Sequence, residues 1–393
     1  MTVQARTSRL PARADVKPFL AMDVLARANA LASEGRDVRF MCVGQPFAPA
    51  PSAARSAAMR MIDAGRVGYT DAAGRSDLRS RIARHYADVH GVDLDPARVF
   101  VTTGSSAGFM LAFLGLFEPG AKVAMAAPGY PAYRNILSAL SLVPVEVPVV
   151  ETSRWVLDVK TLADAYAREA FDGVLLASPG NPTGTMTAPE TLRDVLGWCD
   201  ERGVEVVSDE IYHRLTYEDA PKEATALQFT DRAVVVNSFS KFYCMTGWRV
   251  GWLVLPERLT RATERLGQNL YISAPEVSQV AALHALDATD ELEAVRKGYA
   301  NNRSLLLERL PRMGFGTTLP IDGAFYAYAD VSHFTDDSLA FCRGLLDATG
   351  VAITPGVDFD LERGHEFVRI SFAGSADDVS TACERMGQWL EVR

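Results

Sequence analysis

Between about residue 98 and residue 255 the chain alternates short apolar runs with stretches of helical period. RVFVTT, AKVAMAAP, GVLLAS, VEVVSD, AVVVNS and VGWLVL lack the polar-apolar alternation of a half-exposed strand, so they predict strands buried on both faces. FMLAFLGLF and TLRDVLGWCDERG fall between some of them and predict helices. The fold class expected from this order is α/β, a mostly parallel sheet flanked by helices. Upstream, FLAMDVLARANALASE has helical spacing from Phe19 to Glu34 and ends at Gly35. VRFMCVGQPFAPAPS then predicts a short strand running into a segment that Pro46, Pro49 and Pro51 keep irregular. After about residue 290 a long helical stretch precedes GAFYAYADVS, FCRGLLDATG and FVRISFAG, a mixture suited to a smaller α+β domain.

The expected division is therefore an N-terminal arm and helix over residues 1–45 that joins the small domain, a large cofactor-binding domain over 46–288, and a small C-terminal domain over 289–393. Ligands of a largely parallel sheet sit beyond the carboxyl ends of its strands, so the residues after each apolar run carry the functional information.

Composition narrows the partners. A net charge of -9 gives no reason to expect nucleic acid or an anionic membrane surface, and no apolar run is long enough to span a bilayer. The N-terminal segment has arginines but no apolar core behind them, so no secretory signal is expected. Five scattered cysteines without metal-ligand spacing read as buried, reduced thiols, and no metal site is expected. A cytoplasmic protein acting on small molecules fits these features.

Four strand ends hold the candidate chemistry. RVFVTT leads into Gly104, Ser105 and Ser106 at a helix start, which is either a plain cap or a cradle for an anion. GVLLAS leads into PGNPTG, either a turn or a fixed amide at Asn181. VEVVSD ends on Asp209, with Tyr212 three residues on. A carboxylate at a buried strand end needs a cation or a donor. AVVVN leads into SFSKFYCMTGWRVGW, which packs Ser238, Ser240, Lys241 and Arg249 among aromatic neighbours. Desolvation lowers the pKa of such a lysine toward nucleophilic use, and an arginine fork suits a phosphate. One ligand needs all of these groups: pyridoxal 5'-phosphate, whose aldehyde takes a lysine, whose phosphate takes the cradle and the arginine, and whose ring nitrogen takes a carboxylate.

With S-x-S-K followed eight residues later by arginine, and Asn-Pro-x-Gly and Asp-x-x-Tyr upstream, the chain resembles the class I/II aminotransferases of fold type I from about residue 19 onward. The resemblance implies that Lys241 is the Schiff-base lysine and proton carrier, that Asp209 pairs with the ring nitrogen, and that Asn181 and Tyr212 bond the ring oxygen. It assigns the phosphate to the amides of Ser105 and Ser106 with Gly104, Ser238, Ser240 and Arg249, and ring stacking to Tyr130. Arg369 in FVRISFA corresponds to the arginine that grips the α-carboxylate, with Gly44 and Asn181 beside it. Tyr69 matches a tyrosine that reaches the phosphate of a neighbouring subunit, which implies a homodimer with shared active sites. The expected reaction is ping-pong transfer of an amino group between an L-amino acid and a 2-oxo acid. A pyridoxal-phosphate-dependent lyase, decarboxylase, cyclase or oxidase is the alternative on the same fold.

Two departures bear on the substrate. Gly44-Gln45-Pro46 stands where the family often has Gly-Glu-Pro, and Asn269 stands where aspartate-specific members can present an arginine. Phe19, Phe47, Tyr271, Phe325 and Tyr326 are candidates for an apolar side-chain pocket, or for core.

Overall fold

The computed structural model describes residues 11–392. The absence of a secretory signal, and the outermost residues of the terminal domains proposed above, lie outside the described residues.

Among the described residues the strands form three sheets. β1 (Arg39–Phe40) pairs with β10 (Val351–Ala352) in one, and β11 (Thr354–Pro355), β12 (Phe367–Ser371) and β9 (Tyr326–Asp330) form an antiparallel second. The third has seven strands: β2 (Val99–Thr102), β3 (Lys122–Ala127), β4 (Val143–Pro148), β5 (Gly173–Ala177), β6 (Glu205–Asp209), β7 (Val234–Ser238) and β8 (Gly251–Val254), in the order β2-β8-β7-β6-β5-β3-β4. All are parallel except β8, which runs antiparallel to both of its neighbours. The six apolar runs read from the sequence account for six of these strands. β4 escaped because Pro144 and Pro148 argue against a strand, and it lies at the sheet edge, where prolines are tolerated.

The large sheet is covered on both faces. Val174, Val206 and Val235 join one apolar cluster, while Leu175, Val207, Val234 and Val236 join the other with Phe109 and Phe113 of the helix Ser105–Leu116. That two-sided burial is why the strands carry no alternation.

The N-terminal helix Leu20–Ser33 ends before Gly35, whose φ of +87° lies in the left-handed region that glycine adopts without strain. Its start lacks a capping side chain of its own. Asp358, far along the chain, supplies the cap instead: its carboxylate oxygens accept from the amides of Leu20 and Ala21, both at 3.0 Å. The helix is thereby tied to the C-terminal part of the fold, beside β10 and β11. No helix among the described residues is long and apolar enough to cross a membrane.

Candidate active site

The carboxyl ends of β2, β5, β6 and β7 open on a cavity of about 280 Å³. Because β8 is reversed, the residues before it also arrive at this edge: Gly251 is in register with both Thr102 and Ser238. Ser105, Ser106, Tyr130, Asn181, Tyr212, Ser240, Lys241, Arg249, Gly44 and Arg369 all line the cavity. Four of the residues singled out from the sequence do not. Asp209 lies behind the lining, fully buried; Gly104 and Ser238 lie behind Arg249 and Ser240; and Tyr69 is 82% exposed on the outside of the chain.

Lys241 lies at the centre. Its Nζ donates to the Gly44 carbonyl at 2.7 Å and sits 5.6 Å from the centre of the Tyr212 ring. Burial, with repulsion from Arg369 and Arg249, lowers its pKa to about 8, against a pull upward from Asp209. The neutral form, which has the lone pair to give, is thus far more accessible near physiological pH than in a free lysine.

Asp209 ends β6, with one oxygen accepting from the Ile211 amide at 3.1 Å and the other from the Tyr133 hydroxyl. Burial pushes its carboxyl up to about 6, and among the described residues no lysine or arginine is in ion-pair contact with it. A cation placed beside it would draw the carboxyl back down and favour the charged form further. Tyr133 was missed in the sequence, although it sits on the helix Pro131–Ala139 three positions after Tyr130. Tyr130 precedes that helix and meets Phe19 edge-on at 5.6 Å.

The helix Ser105–Leu116 begins without a capping side chain, so its first amides point at the cavity edge unclaimed by any cap. Gly104 before it has φ +78°, and a Cβ there would lie 2.4 Å from Nη2 of Arg249. Glycine thus lets the guanidinium approach the helix start closely. Ser238 Oγ donates to Ser240 Oγ at 2.9 Å, placing Ser240 rather than Ser238 at the cavity surface.

Arg369, on β12, is 2% exposed. It donates to Asn181 Oδ1 at 2.9 Å, to the Cys42 carbonyl at 2.6 Å and to Thr354 Oγ1 at 3.3 Å, and lies over Tyr326, 4.4 Å from the ring centre. No carboxylate pairs with it among the described residues, and its Nε is buried without a partner. A buried guanidinium without a counter-ion suits a site whose anion arrives as ligand. Tyr326 in turn shares a hydrogen bond with Tyr212, oxygen to oxygen at 2.8 Å. It leaves room beside it only for a glycine at position 44, where a Cβ would fall 1.6 Å from its hydroxyl oxygen.

Of the five aromatics offered for a side-chain pocket, Phe19 and Tyr326 line the cavity. Phe325 is core behind Tyr326, Tyr271 packs against the core of the large domain outside the cavity lining, and Phe47 is 69% exposed. Met22, Leu25 and Ile136, which the sequence reading did not single out, complete an apolar wall with Phe19 and Val43. Asn269 is on the surface, donating to the Arg265 carbonyl. The five cysteines are free and buried.

A family model described as aminotransferase class I and II matches residues 37–386. The chain is 50% identical over 387 residues to a valine–pyruvate aminotransferase of Mycobacterium tuberculosis, across 98% of this chain and 99% of that one. A crystal structure of an aminotransferase from the same organism superposes with a TM-score of 0.96 at 48% identity, covering 98% of this chain and 100% of the other. The aspartate aminotransferase of Thermus thermophilus with maleate gives a TM-score of 0.90 at 29% identity, over 97% and 100% of the two chains. The chain therefore belongs to the class I and II aminotransferases, enzymes of fold type I that use pyridoxal 5'-phosphate.

Proposed function

We propose that this aminotransferase takes an apolar L-amino acid, valine among them, with pyruvate as an acceptor, and that the cavity beside Lys241 holds both the cofactor and the substrate. The relative named for valine and pyruvate supports the substrate pair. The observation that carries the reading is the single unpaired Arg369 set opposite a wall of Phe19, Met22, Leu25, Val43 and Ile136. One buried guanidinium serves one carboxylate. Besides Lys241 and Arg249, no other cation lines the cavity among the described residues, so a second, side-chain carboxylate finds no partner within the same chain.

The residues fit pyridoxal 5'-phosphate at three points: a buried lysine whose pKa is lowered, a buried carboxylate lacking a cation, and an uncapped helix start beside an arginine. Bound there, the cofactor supplies an aldehyde for an amine and a ring that takes up electrons. Lys241 Nζ would hold the cofactor covalently and would move the proton of the substrate carbon. Asp209 would keep the ring nitrogen protonated, with Tyr133 fixing the carboxylate. Asn181 and Tyr212 would donate to the ring oxygen, and Tyr130 would pack against the ring. Ser105, Ser106, Ser240 and Arg249 would hold the phosphate, with Gly104 and Ser238 shaping the cradle from behind. Arg369 would orient the substrate α-carboxylate, assisted by Asn181 and the Gly44 backbone.

The working unit in this reading is a homodimer in the cytoplasm, with Tyr69 reaching the phosphate of the second copy. Exposed Val67, Tyr69, Leu270 and Ile272 lie on segments joined by the Gly68 amide to Glu276 bond, an apolar patch suited to a subunit contact. Buried free thiols suit a reducing compartment. In the same reading the chain divides after residues 45 and 288 into an N-terminal arm and helix, a large cofactor-binding domain and a small C-terminal domain.

The test is a half-reaction screen, in which the loaded enzyme is mixed with single amino acids and the visible absorbance of the cofactor is followed. Valine and similar apolar amino acids should bleach it, and pyruvate should restore it. Faster bleaching by aspartate or glutamate than by valine would overturn the substrate reading.

A further inference from the structure

Beneath the floor of the active site lies a buried group that the transamination chemistry does not use. His213 follows Tyr212, and Glu210 follows Asp209. Packed against them are His90, at the end of the helix Ser76–His90, and Glu223. The side chains are 4%, 2%, 3% and 13% exposed for His213, Glu210, His90 and Glu223.

We propose that His90, His213 and Glu223, with the free oxygen of Glu210, form a binding site for a divalent transition-metal ion of the zinc type. Nδ1 of His213 lies 3.5 Å from Oε2 of Glu210 and 3.8 Å from Oε1 of Glu223, and Nε2 of His90 lies 3.9 Å from the same Glu223 oxygen. The ligand atoms of His90, His213 and Glu223 all fall within 4.8 Å of one another. These separations are too long for hydrogen bonds, and Nδ1 of His213 and Oε2 of Glu210 are indeed buried without partners. They are close to the edges of a coordination shell: metal bonds of about 2.0–2.2 Å in tetrahedral geometry space ligand atoms by roughly 3.3–3.6 Å.

Each carboxylate is aimed by its other oxygen. Oε1 of Glu210 accepts from Ser208 Oγ at 3.0 Å, Thr225 Oγ1 at 3.1 Å and the Ala226 amide at 2.9 Å, which leaves Oε2 for the centre. Oε2 of Glu223 accepts from the Arg214 amide at 2.5 Å, which leaves Oε1. Outer contacts of this kind orient metal ligands. The Arg214 guanidinium is engaged by Glu293 at 3.1 Å and lies over the Phe242 ring, 4.0 Å from its centre. Two carboxylates balance a charge of +2, and imidazole with carboxylate suits zinc and its neighbours. No short spacing betrays the group, since its members come from three separate segments, and the sequence reading accordingly expected no metal.

An ion here would pin the carboxyl end of β6, and with it Asp209 and Tyr212, to the helix Ser76–His90 and to the loop carrying Glu223. Its role is structural.

The test uses the enzyme loaded with pyridoxal 5'-phosphate, dialysed against a chelator and titrated with Zn²⁺ by calorimetry and with Co²⁺ by visible absorbance. Expected are saturable binding of one ion per chain and a rise in Tm on adding Zn²⁺. His90→Gln and Glu223→Gln should each lose both while melting like the chelated wild type. The proposal is overturned if the wild type shows no saturable binding, or if both variants bind as it does, which would place the ion elsewhere. A histidine proton spectrum showing His213 as an imidazolium paired with both carboxylates, in protein that takes up no metal, would also overturn it.

Discussion

Replacing Gly44 by alanine is the most informative single perturbation of the active site. The new methyl carbon would lie 1.6 Å from the Tyr326 hydroxyl oxygen, 2.7 Å from Cζ and 3.1 Å from Cε1. The obstacle is a rigid ring, 1% exposed and packed edge-on against Tyr212 and Phe325, and it cannot swing aside as a flexible chain would. Overpacking of this kind costs about 1–3 kcal/mol, and losing the Tyr212 to Tyr326 hydrogen bond adds about 1 kcal/mol. If the enzyme must meet that cost to reach its active arrangement, kcat/KM falls by about thirtyfold to a thousandfold, at about 1.4 kcal/mol per decade. The effect should reach both Lys241, whose amine rests on the Gly44 carbonyl, and Arg369, which lies on the Tyr326 ring. The assay is the steady-state rate of oxo-acid formation, with bound cofactor checked by absorbance. Adding Tyr326→Phe removes the atom that is struck first, so the double variant should be more active than Gly44→Ala alone, a coupling that a double-mutant cycle measures. Wild-type activity in Gly44→Ala, or losses that simply multiply in the double variant, would refute the reasoning.

Other expectations follow from the same geometry. Arg369→Gln should lower kcat/KM for amino acids by about tenfold to 150-fold, the worth of a charged hydrogen bond of about 1.5–3 kcal/mol, while the cofactor binds as before; equal loss for an amine lacking a carboxylate would contradict this. Gly104→Ala should weaken pyridoxal 5'-phosphate binding, read by titrating the stripped enzyme, because the methyl displaces Arg249. Asp358→Ala removes the cap of the helix Leu20–Ser33 at a cost of about 0.5–2 kcal/mol, and should raise KM for valine because that helix carries Met22 and Leu25 of the apolar wall. Lys241 titrates at about 8 when folded against 10.5 unfolded. Between those values the unfolded chain of cofactor-free enzyme holds more protons, so stability rises with pH across the window. Denaturation midpoints of Lys241→Met measured over that range should climb less steeply than those of the wild type.

The large sheet was readable because two-sided burial writes itself as unbroken apolar runs, and its functional edge because each run is followed at once by polar residues. Lys241, Asn181 and Tyr212 could be picked out for that reason and Arg369, in the middle of β12, through the family resemblance alone, whereas Tyr133, Asp358 and the apolar wall could not. Tyr133 meets Asp209 across 76 residues of sequence, and Asp358 caps a helix 337 residues upstream. Neither pairing has a local pattern. The same holds for β8: apolarity marks a strand but does not give its direction, so the reversal was invisible until its neighbours were known.

That reversal has a practical side. With β8 entering at the cavity, every turn that feeds the parallel strands, including those at Glu118–Gly120, Glu201–Gly203 and Asp231–Arg232, lies on the opposite, solvent-exposed rim. The protein thus keeps its chemistry and its spare length on different sides, and peptide tags, fluorophores or whole inserted modules can be grafted on that rim with the reacting groups a full strand length away.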